Sequence, residues 1–329
     1  MPITVLKSLD ARIPQWDMEC LNARDCPFCG AENETILKRP DWLSVAFCNT
    51  CGCWYINTLP SISEIVKMYD GYYRTHRPTD LSEKSVARRV KNARTASGTN
   101  WQLHTLLKLY AGNGPMRILD VGCGFGQFLL EAKAGGADVV GCDLSPEACE
   151  FARERLGLPV HQSDLHSCSS SIGSVDVIVM RDLIEHPVNP LNDFQAACSI
   201  LKPGGLILLY TPNGGEAGTS IETAMKWVGF RVDLEHLQYL SPHTINWLSQ
   251  KYELNIERLE TSGFPCLKGI GKLPKRRSET IHSVREFTKN IPGMRRVVKI
   301  LRALKSAMIA DSIIPRIGSY HLFSILRKR

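Results

Sequence analysis

Arg117-Ile-Leu-Asp-Val-Gly-Cys-Gly-Phe-Gly126 is the stretch on which the reading of this chain turns. Arg117 to Val121 makes a short apolar strand, which runs into a GxGxG turn at Gly122, Gly124 and Gly126. Gln127 to Ala134 then has helical periodicity, and Ala137-Asp-Val-Val-Gly-Cys-Asp143 reads as a second strand ending in an acid. Strand, glycine turn, helix, strand and acid in this order form a nucleotide-binding unit. The glycines bring the backbone close to the ligand, and the acid accepts hydrogen bonds from ribose hydroxyls.

The spacing separates two kinds of nucleotide. A dinucleotide fingerprint needs a third glycine three positions after Gly124, where this chain has Gln127. Asp120, one position from the end of the strand, would repel a pyrophosphate in a site of reduced dielectric. It suits a ligand that carries an ammonium and a sulfonium. The alternative, a glycine-rich turn in some other α/β enzyme, leaves the joint placement of Asp120 and Asp143 unexplained.

At these residues the chain resembles the class I S-adenosylmethionine (SAM)-dependent methyltransferases, whose first motif is matched by Ile118 to Gly126. The resemblance continues in order. Ser163-Asp-Leu165 matches the loop whose acid faces the adenine amino group. Val175 to His186 matches the fourth strand and the loop beneath the methyl donor, and Leu201 to Tyr210 the fifth strand, with Thr211-Pro-Asn213 at its end. It implies a cofactor site built from Asp120, Gly122, Gly124, Gly126, Asp143, Leu144, Asp164, Arg181 and Glu185. Glu235-His-Leu-Gln-Tyr-Leu-Ser-Pro242, with the helix Thr244 to Lys251 after it, is similar to a narrower set, the bacterial methyltransferases of sugar and surface-polysaccharide synthesis. That set often begins with paired CxxCG knuckles and a tyrosine-rich stretch, here Tyr69-Asp-Gly-Tyr-Tyr-Arg74. It differs from this chain after the second knuckle, where Cys53 and Asn57-Thr58 replace an aliphatic residue and an Asn-Pro pair.

Those knuckles are Cys26-Pro-Phe-Cys29-Gly and Cys48-Asn-Thr-Cys51-Gly. The CxxC spacing lets two thiolates point at one cation, the glycine permits the tight turn, and two such turns supply a closed tetrahedral zinc site. A site of four thiolates leaves no open coordination position, so the zinc, held by Cys26, Cys29, Cys48 and Cys51, is expected to be structural. Cys53 is counted as a spare thiol.

The expected architecture is α/β. Residues 1–60 form a small zinc-ribbon-like module, and 61–110 a helical linker and lid that starts with a capping box at Ser61 and Glu64. Residues 111–265 with 316–329 form a Rossmann-like, seven-stranded SAM-binding domain with its last strand antiparallel. Leu254 to Thr261 reads as strand six and Tyr320 to Arg327 as strand seven, so 266–315 is an insertion between them.

Composition bounds the rest. A chain of 329 residues, 43% hydrophobic and 22% charged with 25 glycines, has room for one full domain and an appendage, and is not of disordered, collagen-like or disulfide-scaffold type. No apolar run of signal-peptide or membrane-span length is found, which places the chain in the cytoplasm. Twelve cysteines therefore read as a metal site plus buried free thiols. The net charge of +7 is uneven: residues 267–329 hold 16 Lys/Arg against three acids, Glu279, Glu286 and Asp311. Within that segment Met294 to Ile309 places Val297, Leu301, Leu304 and Met308 opposite Arg295, Lys299 and Arg302, an amphipathic pattern suited to an anionic membrane surface. Packing of the same stripe on the domain or on a second subunit is the competing reading.

Methyl transfer from a sulfonium is an in-line displacement, and a hydroxyl acceptor must also lose a proton. His236 and His186 are the candidate bases, each directly after a glutamate and each expected near the open end of the sheet. The function expected is O-methylation, secondarily C-methylation, of a small-molecule, sugar-containing or lipid-linked acceptor. RNA methylation is the alternative. Tyr210-Thr-Pro-Asn213 in place of an Asn-Pro-Pro-aromatic end to strand five argues against a nucleic-acid substrate, as does a knuckle module without basic clusters. A non-catalytic SAM-binding scaffold is the third reading. It does not explain an intact glycine loop with both acids.

Overall fold

The computed structural model describes residues 3–9, 12–69, 79–96, 100–110, 114–262 and 320–329. In the N-terminal part, β2 (Thr35–Lys38), β3 (Ser44–Phe47) and β4 (Trp54–Ile56) form an antiparallel meander, and β1 (Asn22–Ala23) pairs with β5 (Thr58–Leu59). Helices α1 (Ile62–Tyr69), α2 (Glu83–Ala96) and α3 (Trp101–Leu109) follow. The expected capping box is present, with Ser61 Oγ accepting from the Glu64 N–H and Glu64 accepting from the Ser61 N–H.

From Arg117 strands and helices alternate as β6 (Arg117–Val121), α4 (Gln127–Ala134), β7 (Asp138–Asp143), α5 (Pro146–Leu156), β8 (Val160–Gln162), α6 (Leu165–Ile172), β9 (Val175–Arg181), α7 (Pro190–Ile200) and β10 (Leu201–Pro212). The chain then runs through α8 (Ile221–Ala224), β11 (Gln238–Tyr239), α9 (Pro242–Lys251), β12 (Leu254–Ser262) and β13 (His321–Lys328). The helix boundaries follow local chemistry. In α5, Ser145 caps the first turn, Pro146 opens it, and Gly157 closes it with φ 61°.

Seven strands form one sheet in the order β12, β13, β10, β9, β6, β7, β8, in which β13 runs antiparallel to both of its neighbours. This is a Rossmann-like sheet with an antiparallel last strand, as the resemblance to the methyltransferases implies. Its strands are apolar on both faces. Leu119, Val140, Ile178 and Ile207 join one core cluster, and their sequence neighbours Ile118, Val139, Val177 and Leu206 join the other. Helices α6, α7 and α9 cover the first face, and α3, α4 and α5 the second.

The N-terminal strands do not stand alone. β11, from residues far along the chain, pairs with β4 through Gln238↔Tyr55 and Tyr239↔Trp54, completing a four-stranded sheet. Cys26, Phe28, Cys48, Cys51 and Tyr55 belong to the same apolar cluster as the first face of the large sheet. Among the described residues no helix is long and apolar enough to cross a membrane. The expected insertion 266–315, with its amphipathic stretch, and residues 70–74 of the tyrosine-rich motif lie outside the described residues.

Candidate active site

β6 ends in the glycine loop, where Gly122, Gly124 and Gly126 adopt φ of 69°, 51° and 74°. At Gly126 a Cβ would also lie 2.6 Å from Leu158 Cδ1, so position and conformation both call for glycine. Asp143, at the end of β7, ties this loop to the next one. Its carboxylate accepts the Gly124 N–H at 2.8 Å and the Ser145 N–H at 2.8 Å. Leu144 beside it is 71% exposed, an apolar side chain left open at the carboxyl ends of the strands. Asp120 is buried. Desolvation pushes its carboxyl up to about 6, Asp143 adds to the rise, and Arg181 pulls against it. Asp164 caps α6 by accepting the Ser167 N–H at 2.7 Å.

Two residues expected at the cofactor site have protein partners of their own. Arg181 donates to Gln102 Oε1 at 3.1 Å and lies over the Phe128 ring at 4.5 Å, so its guanidinium braces α3 and α4. Glu185 is fully buried and accepts from Thr211 Oγ1 at 2.9 Å. It groups with the two histidines: ligand atoms of Glu185, His186 and His236 all lie within 4.8 Å of one another. Burial, with Asp182 next, pushes the Glu185 carboxyl well up and favours its protonated form. The sequence assigned this glutamate to the cofactor because it lies beneath the fourth strand. Its direction is set by Leu237 and Gln238, whose N–H groups bond the Glu185 carbonyl at 2.8 and 3.3 Å and draw the segment inward.

The structure brings the two histidines together. Their ring centroids are 4.7 Å apart at 74°, an edge-to-face contact between segments fifty residues apart in sequence. His186 Nδ1 shares a 2.7 Å hydrogen bond with Tyr69 Oη, and Tyr69 also reaches the Glu235 carbonyl at 3.4 Å. The sequence reading did not single out Tyr69 as a partner of His186. The only signal was its place at the head of the tyrosine-rich stretch. Asp182 and Asp233, both at φ 49°, hold left-handed backbone on either side of this cluster.

The four cysteines also converge, all Sγ atoms lying within 4.8 Å of one another. Cys26 and Cys51 approach to 3.4 Å, and Cys29 and Cys48 to 3.2 Å. The knuckles are built alike: Gly30 N–H bonds the Cys26 carbonyl at 2.9 Å, and Gly52 N–H bonds the Cys48 carbonyl at 2.8 Å. Cys53 points away, donating to the carbonyls of Trp54 and Tyr239.

A mixed sheet in this strand order, a GxGxG loop and an acid that holds it make up a Rossmann-like fold of the methyltransferase type. Residues 96–259 match the family described as "Methyltransferase domain". Among curated relatives, the ubiquinone biosynthesis O-methyltransferase of Aromatoleum aromaticum is 32% identical over 109 residues, covering 31% of this chain and 47% of that protein. The protein of the same name from Xanthomonas campestris is 37% identical over 115 residues, covering 30% of this chain and 43% of that protein. The chain thus spans about half the length of the curated relatives it matches. A solved SAM-dependent methyltransferase from Archaeoglobus fulgidus aligns with 80% of this chain and 99% of its own, at 17% identity and a TM-score of 0.45.

Proposed function

We propose that the chain transfers a methyl group from SAM to an oxygen of a small hydroxylated acceptor, with His236 as general base and His186 held beside it by Tyr69. SAM supplies a methyl group activated by a sulfonium. The residues fit such a group: Asp120 offers a buried anion toward its cationic end, and Asp143 and Leu144 offer a polar and an apolar contact at the adjacent strand end. The observation that carries the reading is the cluster of buried Glu185 and His236 with half-buried His186, following the carboxyl end of the fourth strand, where an acceptor beneath the methyl donor would meet it. Replacing His236 by Ala should lower the transfer rate by roughly 100- to 10,000-fold with SAM affinity nearly unchanged. A loss below about tenfold in both His236→Ala and His186→Ala would remove the histidine base.

Two acceptor classes remain in play, each with its own support. The Glu235–Pro242 stretch supports a sugar-containing or lipid-linked acceptor, C-methylation being the lesser variant. The names of the curated relatives support an oxygen acceptor belonging to ubiquinone biosynthesis. Labelled SAM offered with sugar nucleotides, with lipid-linked sugars and with ubiquinone precursors separates them by which product takes the label.

The four-cysteine group fits a structural zinc site. Zn–S bonds of about 2.3 Å put tetrahedral sulfurs about 3.8 Å apart, close to the spacing seen here. The basic segment 267–329 supports peripheral contact with an anionic membrane at which a lipid-linked acceptor would be met.

A further inference from the structure

Arg39 is fully buried, 197 residues before His236 in the chain, and yet touches it. A dry guanidinium must find acceptors for five N–H groups, and here every one is filled. Nε and one Nη2 hydrogen face the two carboxylate oxygens of Asp41, an ion pair with both side chains at 0% exposure. The other three donors go to the far segment: Nη1 to the His236 carbonyl at 2.6 Å and to Tyr239 Oη at 3.0 Å, and Nη2 to the Leu234 carbonyl at 2.7 Å. Asp41 is itself fixed, accepting the Trp16 indole N–H at 3.0 Å. A second guanidinium acts next to it. Arg24 donates to the Leu237 carbonyl at 2.7 Å and to the Val188 carbonyl at 3.0 Å, spanning the segments that carry both histidines.

We propose that Arg39, held by Asp41, is a positioning residue for the acceptor-side histidines, so that the N-terminal cysteine module sets the geometry of the active site as well as its own fold. The inference rests on the reading of His236 and His186 as the acceptor-side pair. Its physical basis is asymmetry. If the 234–236 segment shifts, two donors of a buried cation lose their acceptors where no water replaces them, which is far more costly than the loss of an exposed hydrogen bond. The carbonyl of His236 is thereby pinned, and with it the direction in which the imidazole leaves the backbone toward His186 and Glu185. Lysine cannot do this, since a point charge on a flexible stem cannot serve Asp41 and three further acceptors in one plane.

The test uses the full chain with 13C-labelled histidine rings, the His186 and His236 signals being assigned by their loss in His186→Gln and His236→Gln. Two variants are compared, Arg39→Lys and the pair Arg39→Met with Asp41→Leu, the second removing both charges so that neither is left buried alone. The expected result is a shift and broadening of the His236 signal, with a smaller change at His186. Zinc content should stay unchanged, and S-adenosylhomocysteine affinity by calorimetry within about twofold. Ring signals that coincide with wild type in either folded variant overturn the inference. Should neither variant fold, the wild-type protein decides: the Arg39 Nε–H must exchange with solvent as slowly as the core amides, and fast exchange there overturns it. The base reading fails separately. A wild-type transfer rate in His236→Gln would remove His236 as base while leaving the positioning role intact.

Discussion

Two carboxylates beside the glycine loop are held in opposite ways. Asp143 is satisfied by two backbone N–H groups, whereas Asp120 is buried with its carboxyl pushed up to about 6. A cationic ligand favours the ionised form of Asp120, so SAM affinity should weaken as pH falls through about 6, and binding near that pH should release a proton. Calorimetry in buffers of different ionisation enthalpy reads that proton, and Asp120→Asn should bind more weakly with a flat pH dependence. Asp143→Ala should weaken SAM binding by about 1.5 to 3 kcal/mol, the cost of losing hydrogen bonds to a charged acceptor. Wild-type affinity in both variants would mean that the cofactor sits elsewhere. The position of both acids beside the glycine loop was legible in the sequence, because each stands at a fixed offset from a strand end within the strand, glycine-turn, helix, strand unit. Tyr69 and Arg39 were not, because their roles come from contacts 117 and 197 residues away, a distance over which spacing carries no information.

Among the elements, the two knuckles offer a matched comparison. Gly30 and Gly52 hold nearly the same left-handed backbone, φ 73° and 71°, but a Cβ at Gly30 meets nothing within 4 Å. At Gly52 it would lie 2.8 Å from His243 Cβ and 2.9 Å from Ser241 Oγ, at the start of α9. Gly30→Ala should therefore cost about 1 kcal/mol of stability from backbone strain alone. Gly52→Ala should cost about 2 to 4 kcal/mol, with overpacking added. Denaturant unfolding measures both, and equal costs would show that the second knuckle does not press on α9. Elemental analysis should find one zinc per chain, lost on replacing Cys26, Cys29, Cys48 or Cys51 by Ser and kept in Cys53→Ser. The strands and helices of the large sheet were readable because their apolar periods change at glycines and prolines. The pairing of β11 with β4 was not, because a strand of two residues, Gln238–Tyr239, has no period to read.

At the scale of the whole molecule, the charge asymmetry carries its own test. Residues 267–329 concentrate 16 Lys/Arg against three acids, and most of that segment lies outside the described residues. If it docks on a membrane, the protein should co-sediment with anionic but not neutral vesicles at low salt, and replacing Arg295, Arg296, Lys299 and Arg302 by Gln should abolish binding. Absence of binding to either vesicle would end that reading.

The sheet that β11 completes also sets an order of events during synthesis. The four cysteines leave the ribosome before the large sheet does, and their knuckles close through local bonds, so on the zinc reading they would be ready for the metal first. The strands beside them must wait, because Trp54 and Tyr55 have no partner on that edge until Gln238 and Tyr239 have emerged and the large sheet between them has formed. Through that interval the nascent chain carries an open, aromatic strand edge, the kind of surface on which chains pair wrongly with one another. On the zinc reading, a bound metal would order the knuckles behind that edge without covering it, so zinc starvation during expression should lower the yield of soluble protein.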